Sequence, residues 1–437
     1  MNSGSGQLLD FNSGGVQATA SQLPTDPGPD RYHGQTAQYS ENAQYDANGQ
    51  LLFFVQDGNI YDHAGYLMAD NDADPQNCRN CLVKGLQEIL ITPMPGTCDK
   101  YYIIGGNKAG NYSALGYSIL DLAKPNPFFP GRLGAVWDLV DVQGQPVMDQ
   151  QMQGSTPGIT LPQLDLPSTC HLGSTGNTAT RSKNAHLCIL DGPANGEPRT
   201  LFVQTASSFK YATISANGIS NLQVFRTFGN SSADDILHWS GGIAVAKTSP
   251  DGVMRLARTI NSDLYPASAG NVSIEVSQVS FTGNQVSDVV LASINTDLTG
   301  THQGIGTVHG IAFSPSGRYL YFSQATQPYI GYVDMLDPAY TVHDLVTELG
   351  LTGMSAYGFG QIACNKGPNG NGWSMYYPYA TGMGCLNNIE NPASLTWTYT
   401  LTVPGGPVAP PPNSVLSNTP GTPFNHYLMD RQNYRDQ

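Results

Sequence analysis

Three observations predict an all-β fold. Turn formers are dense, with 49 Gly and 30 Pro in 437 residues. Apolar residues fall in short runs of period two, and no stretch of about 12 residues keeps a helical period. One unit also recurs: an apolar strand, a turn rich in Pro, Asn, Asp and Gly, a second strand, a polar gap and a third strand. Its clearest copy is residues 310–324, GIAFSPSGRYLYFSQ. Units of this kind at spacings of roughly 40–60 residues build a β-propeller, in which each unit is one blade. The reading is seven blades, with six and eight as the neighbouring counts. A set of β-sandwich domains is the competing architecture.

The units run in order along the chain. Residues 43–68, AQYDANGQLLFFVQDGNIYDHAGYLM, give a turn at Asp46-Ala-Asn-Gly, a strand over Leu51–Val55, a second turn at Asp57-Gly58 and a strand at Ile60-Tyr61. EILITPMPGTCDKYYIIGG leads into GYSILDL over 88–122. NAHLCILDG, TLFVQT and FKYATISANG follow over 184–218. GGIAVAKTSPDGVMRLART and VSIEVSQVSFTG make the unit at 241–283. The unit at 308–335 contains the opening copy, and FGQIACNKGPNGNGWSMYYPY with GCLNNIE makes the one at 359–390. Leu345–Leu351 is at most a short helix. LTWTYTLTV at 395–403 and LLDF at 8–11 are expected to pair and close the ring, which removes its free edges. Residues 1–404 then form one propeller, and the Pro-rich 405–437 forms an extended tail.

Charge excludes some functions. Only 12% of residues are charged, against roughly 25% in average soluble chains. The net charge is −14, which repels nucleic-acid backbones and anionic membranes. No apolar run reaches the 18 residues a spanning helix needs, so no membrane insertion is expected. The first 30 residues lack a basic segment followed by an apolar one, so they are not a signal peptide. The Asn/Gly/Ser-rich, Lys-poor composition fits an extracellular or cell-surface protein, read here as a mature chain with a start Met added.

Cys78, Cys81, Cys98, Cys170, Cys188, Cys364 and Cys385 are then disulfide candidates, with Cys170–Cys188 and Cys364–Cys385 as suggested pairs. Cys78-Arg-Asn-Cys81 reads as a loop disulfide or as a pair with Cys98. Seven buried thiols are the alternative.

The order of several motifs resembles a known family. DANGQLLFFVQDGNIYDHAGYLM, then EILITPMPGTCDKYYII, GYSILDL, FSPSGRYLYFSQ and CLNNIENP resemble the N-terminal region of gliding-motility-associated, type IX-secreted surface proteins of Bacteroidetes. The resemblance covers most of residues 40–390. It implies a secreted or surface-displayed β-propeller without an assigned enzymatic activity. IACNKGPNGNGWSMYYPYATG and the insert at 143–183 depart from the family pattern.

Three groups of residues are candidates for chemistry. Asp70, Asp72 and Asp74 alternate, a spacing that wraps carboxylate oxygens round calcium; Pro75 and Cys81 stand where an EF-hand needs Gly and Glu. A solvated acidic loop is the plain alternative. Trp373, Tyr376, Tyr377 and Tyr379 cluster as an aromatic platform for a protein or glycan partner, or else as half-buried strand residues. His186, His238 and His309 stand near the starts of apolar strands, where a channel-lining ring would bind a metal. Hydrogen-bonded strand-end histidines are the alternative. No nucleophile elbow, zinc-protease or phosphate-loop motif is present. The preferred function is a non-enzymatic binding or structural module with a protein or glycan partner. A metal-dependent propeller hydrolase with a channel site is second.

Overall fold

The computed structural model describes the residues from Gln7 to Tyr399, apart from 11–18, 34–40, 70–88, 148–185, 191–196, 228–241, 260–273, 297–307, 351–362, 367–372 and loop stretches of five residues or fewer. A hairpin of β1 (Gln7–Asp10) and β2 (Thr19–Gln22) opens the chain. Blade I is β3 (Glu41–Tyr45), β4 (Leu51–Gln56), β5 (Asn59–Asp62) and β6 (Leu67–Ala69). Blade II is β7 (Leu90–Pro93), β8 (Lys100–Ala109), β9 (Tyr112–Pro125) and β10 (Leu133–Trp137). A small pair, β11 (Leu139–Val140) and β12 (Pro146–Val147), follows.

Blade III is β13 (His186–Leu190), β14 (Arg199–Gln204), β15 (Ser208–Ser215), β16 (Gly218–Ile219) and β17 (Gln223–Thr227); the last two both pair with β15 and share the outer position. Blade IV is β18 (Ile243–Ala246), β19 (Arg255–Thr259), β20 (Ile274–Thr282) and β21 (Gln285–Ile294). Blade V is β22 (Val308–Phe313), β23 (Tyr319–Gln324), β24 (Tyr329–Asp334) and β25 (Val342–Asp344). Helix α1 (Leu345–Glu348) follows, and its first amides at Val346 and Thr347 donate to the Asp344 carboxylate. Blade VI is β26 (Ala363–Lys366), β27 (Trp373–Tyr379), β28 (Gly382–Asn387) and β29 (Thr396–Tyr399).

Each blade is an antiparallel meander in chain order. Its first strand is innermost: β3 lies beside β7, β13 beside β18, β18 beside β22, and β22 beside β26. Strand alternation then divides each blade's apolar residues between two neighbours. In β14, Leu201 and Val203 pack on blade II while Phe202 packs on blade IV. In β23, Leu320 and Phe322 pack on blade IV, and Tyr319 and Tyr321 on blade VI. Phe53 and Val55 of β4 meet Ile89, Ile91 and Tyr101 of blade II. Sheets buried on both faces explain why the strands read as continuous apolar runs. The architecture is a β-propeller, as expected.

The described residues contain six such blades, a count the sequence reading allowed beside its preferred seven. The proposed terminal strand pair is not what these strands form: β29 pairs with β28, and β1 with β2. The reason is local. Asn388 takes a left-handed φ of 63°, and the short 3-10 turn Pro392–Ser394 folds the chain straight back. The strand that looked separate is blade VI's own outer strand.

The turns between first and second strands reuse one chemistry. In Ser249-Pro-Asp-Gly252, the Ser249 hydroxyl donates to Val253 O at 2.6 Å. In Ser314-Pro-Ser-Gly317, the Ser314 Oγ accepts Tyr319 N at 3.2 Å. Gly252 and Gly317 have φ of 76° and 71°, which a side chain rarely adopts. Blade VI clamps the second turn: Glu390 accepts from the Ser316 amide at 2.6 Å and from the Ser314 and Ser316 hydroxyls.

Candidate functional site

The mouth at which the innermost strands begin is where the sequence places its histidines. His186 opens β13. His309 is the second residue of β22 and the extra residue of a β-bulge, because Val308 pairs with Gln324 and Gly310 with Ser323. Bulges of this kind cluster beside functional sites. Two of the three histidines therefore stand on innermost strands, flanking blade IV on either side; His238 lies outside the described residues.

The described polar side chains that link blades around this mouth include neutral amides and a hydroxyl. Gln204 faces His186 in register and is 2% exposed. Its Nε2 donates to Thr259 O at 3.3 Å, which ties blade III to blade IV. Its Oε1 is buried without a partner among the described residues. Thr259 Oγ1 accepts the Gly242 amide at 2.9 Å. On blade I, Asn42 Nδ2 donates to Ile89 O of blade II at 2.7 Å. Among the described residues, no His, Cys, Asp and Glu side chains gather as a metal-binding group.

Buried charge is concentrated between blades III and IV. Arg226 of β17 meets Glu275 of β20 and Asp288 of β21, both at 2.8 Å, and donates to Ser277 Oγ at 3.1 Å. Arg258 of β19 donates to the same Glu275 oxygen at 2.8 Å. Both guanidinium groups lie near the Phe209 ring, at 6.0 and 5.6 Å. Two cations and two carboxylates balance. Burial alone would raise the Glu275 pKa, but Arg258 and Arg226 outweigh it and hold the carboxyl below its ordinary range. Glu275 is thus an anion in place, unsuited to donating a proton. Likewise Arg255, 3% exposed, holds Asp251 at 2.6 Å and a carboxyl pKa far below normal. These charges bind blades together.

The other expected groups fare differently. Asp70, Asp72 and Asp74, the calcium candidates, lie outside the described residues. Trp373, Tyr376, Tyr377 and Tyr379 all belong to β27, but Tyr376 has the opposite strand parity from the other three.

Among the described residues there is no disulfide, which corrects the Cys364–Cys385 suggestion. The two residues are on strands separated by β27; Cys364 pairs with Met375, whereas Cys385 pairs with Tyr376. Two strand spacings are about 9.6 Å, beyond the ~7 Å Cα limit of a disulfide, and the parities differ. Cys188 is buried in β13, its proposed partner Cys170 lies outside the described residues with Cys78 and Cys81, and Cys98 is an exposed thiol.

Two features escape the sequence reading. The first is an apolar rim. The outer strands β17 and β21 are neighbours. They expose Val224 (53%), Val289 (66%) and Val290 (43%). The only charges of these strands, Arg226 and Asp288, are joined to each other beneath. Its signal was the consecutive Val289-Val290-Leu291; Leu291 is the extra residue of a bulge, and Val289 and Val290 alternate between the two faces of the strand. The second is a stack of Arg31 and Arg132 on Tyr66 between blades I and II.

No helix among the described residues is long and apolar enough to cross a membrane. No family model and no curated protein matches the chain. Solved structures do. The β-propeller domain of Cps50 (Swd1) from Myceliophteria thermophila aligns at TM-score 0.42 and 12% identity, covering 92% of this chain and 99% of that one. The major Malassezia sympodialis allergen Mala s 1 aligns at 0.36 and 12%, covering 77% and 86%. Kuenenia stuttgartiensis hydrazine synthase aligns at 0.35 and 11%, covering 85% and 86%. At such scores the fold assignment rests on the chain's own blades, and these assign it as a β-propeller.

Proposed function

We propose that this propeller is a non-enzymatic binding module, displayed outside the cell, that docks a neutral protein strand of an assembly on the rim of blades III and IV. The single observation that carries the reading is the exposed Val224, Val289 and Val290 on two adjacent outer strands. Exposed β-branched residues on adjacent outer strands suit a partner that adds along a strand edge. The rim's local charge is cancelled by the Arg226–Asp288 pair, on a chain of net charge −14. An uncharged, extended segment matches it, because the outer edge of β21 offers main-chain hydrogen bonds. Secretion and surface display are supported by composition and by the family resemblance.

Native mass spectrometry tests the reading. A multimer or a copurified protein is expected for the wild type, and bare monomer for Val289→Lys. A wild-type bare monomer, or a complex that survives Val289→Lys, overturns it.

The channel hydrolase has one observation in its favour, the placement of His186 and His309 at the same mouth, the latter on a bulge. It predicts a stoichiometric divalent metal that EDTA strips and that the His309→Ala variant fails to bind. Metal-free protein as purified, or metal retained by His309→Ala, removes this reading.

A further inference from the structure

The second and third strands of blade II outrun their neighbours. Leu90, the first residue of β7, pairs with Ile104 of β8, and Trp137, the last of β10, pairs with Ile119 of β9. β8 and β9 go on pairing with each other past both points, from Gly105↔Gly116 to Ala109↔Tyr112. These pairs extend about 17 Å at the ~3.4 Å rise of an antiparallel strand. They form an arm on the side where the innermost strands begin. Its base is fixed: Tyr102 and Tyr117 are buried, and the Tyr102 hydroxyl donates to Ser215 O of blade III at 2.7 Å. Among the described residues, no strand pairs with either edge of the arm.

The two edges differ. Open strand edges are normally blunted by charge, proline or a bulge. Lys108 stands on β8 and is the only charged residue from Gly105 to Ser118. Tyr112-Ser-Ala-Leu-Gly116 of β9 has no charge and no proline, and the β8–β9 register runs without a shift. The β9 edge is thus left unblunted. A two-stranded hairpin is marginal by itself, and Gly105, Gly106 and Gly116 weaken this one further. A further strand would complete it.

We propose that the β9 edge of this arm pairs antiparallel with the same edge of a second copy of the chain, giving a four-stranded sheet across a two-fold axis. Charge favours this partner and this mode. An uncharged edge gives an oppositely charged partner nothing to hold, while a copy of the same edge matches it in length and charge. Each copy carries −14, so two bodies repel when their faces meet. Antiparallel arms hold the bodies at opposite ends, about 17 Å apart, beyond the ~8 Å Debye length at physiological salt. Pairing through β8 would instead bring two Lys108 residues into the contact. The contact is small, so the dimer is a weak one that forms at high concentration and is absent at the dilution of a native mass measurement. The arm belongs to blade II and is separate from the valine rim of blades III and IV.

Analytical ultracentrifugation from roughly 10 μM to roughly 1 mM is the test. Wild type and Val289→Lys should both pass from monomer to dimer as concentration rises. Replacing residues 105–116 by Asn-Gly joins the paired Ile104 and Tyr117 through a two-residue turn, and should leave monomer throughout. Ala114→Lys keeps the arm and charges the middle of its β9 edge; it should raise the dimerisation midpoint about fivefold in concentration. Alternate amides of Tyr112–Gly116 should gain protection from hydrogen exchange with concentration in the wild type. A wild type that stays monomeric throughout, or a dimer that persists in the shortened protein, overturns the proposal. A dimer lost in Val289→Lys and kept in the shortened protein belongs to the rim, and overturns the arm while leaving the rim reading standing.

Discussion

Replacing Glu275 by Gln tests whether the charges between blades III and IV hold the propeller together. The substitution keeps shape and removes the anion that both Arg226 and Arg258 contact at 2.8 Å. Arg226 retains Asp288, so the net harm falls mainly on Arg258, whose side chain is 10% exposed. Breaking one side of a buried pair costs about 3–5 kcal/mol. The lower end applies here, about 3 kcal/mol, because Arg226 stays compensated and Gln still offers an acceptor. At about 2.1 cal/mol/K per residue of unfolding entropy, a cooperative chain of this length would melt about 3 °C lower.

Chemical denaturation at pH 7 and again at acid pH is the assay. The Glu275 pKa is depressed from its ordinary 4.5, so its stabilisation is present above that value and lost as pH falls through the folded pKa. The wild type and Glu275→Gln should therefore differ at pH 7 and converge in acid. A difference under about 0.5 kcal/mol at pH 7, within the usual range of surface substitutions, refutes the structural role given to this network. So does a difference that persists undiminished in acid.

Three further outcomes are expected. Gly331→Ala should destabilise by about 1–3 kcal/mol, since its Cβ would sit 2.6 Å from Phe322 Cζ and 2.7 Å from His343 O; an unchanged denaturation midpoint would contradict that packing. Glu390→Ala strips the Ser316 amide of its acceptor and should cost about 1–3 kcal/mol, with faster hydrogen exchange at Ser316 and Arg318 as the local readout. Cys98 should be labelled by a thiol reagent in the native protein while the buried Cys188 and Cys385 stay protected until unfolding; simultaneous labelling of all three refutes their placement.

Much of the fold was legible because propeller blades are local. A strand, a Pro- or Gly-bearing turn and a second strand follow each other in the chain, so Leu51–Gln56 and Tyr319–Gln324 can be read from short windows. Register is not local. Cys364 and Cys385 look pairable by spacing, yet β27 intervenes and puts them at opposite parities. The functional candidates divide along the same line. His186 and His309 were found because strand starts are visible in sequence. The rim and the Tyr66 stack were not, since Val224 and Val289 are 65 positions apart and Arg31 and Arg132 more than a hundred. Only blade-to-blade packing brings either pair together.

The charge network and the valine rim depend on each other. Arg226 lies two residues after Val224 on β17, and Asp288 directly precedes Val289 on β21. Their 2.8 Å contact joins the outer strands of two blades. It also cancels the only charges that these two outer strands carry. Asp288→Asn should therefore act on both. It leaves Arg226 one anion short, which weakens the seam between blades III and IV, and it frees positive charge beneath Val289. Partner binding at the rim should fall even at temperatures where the propeller stays folded. If docking were unaffected in a protein measurably less stable, the rim's valines would act without the pair below them. The link drawn here between the buried charges and the surface would then be broken.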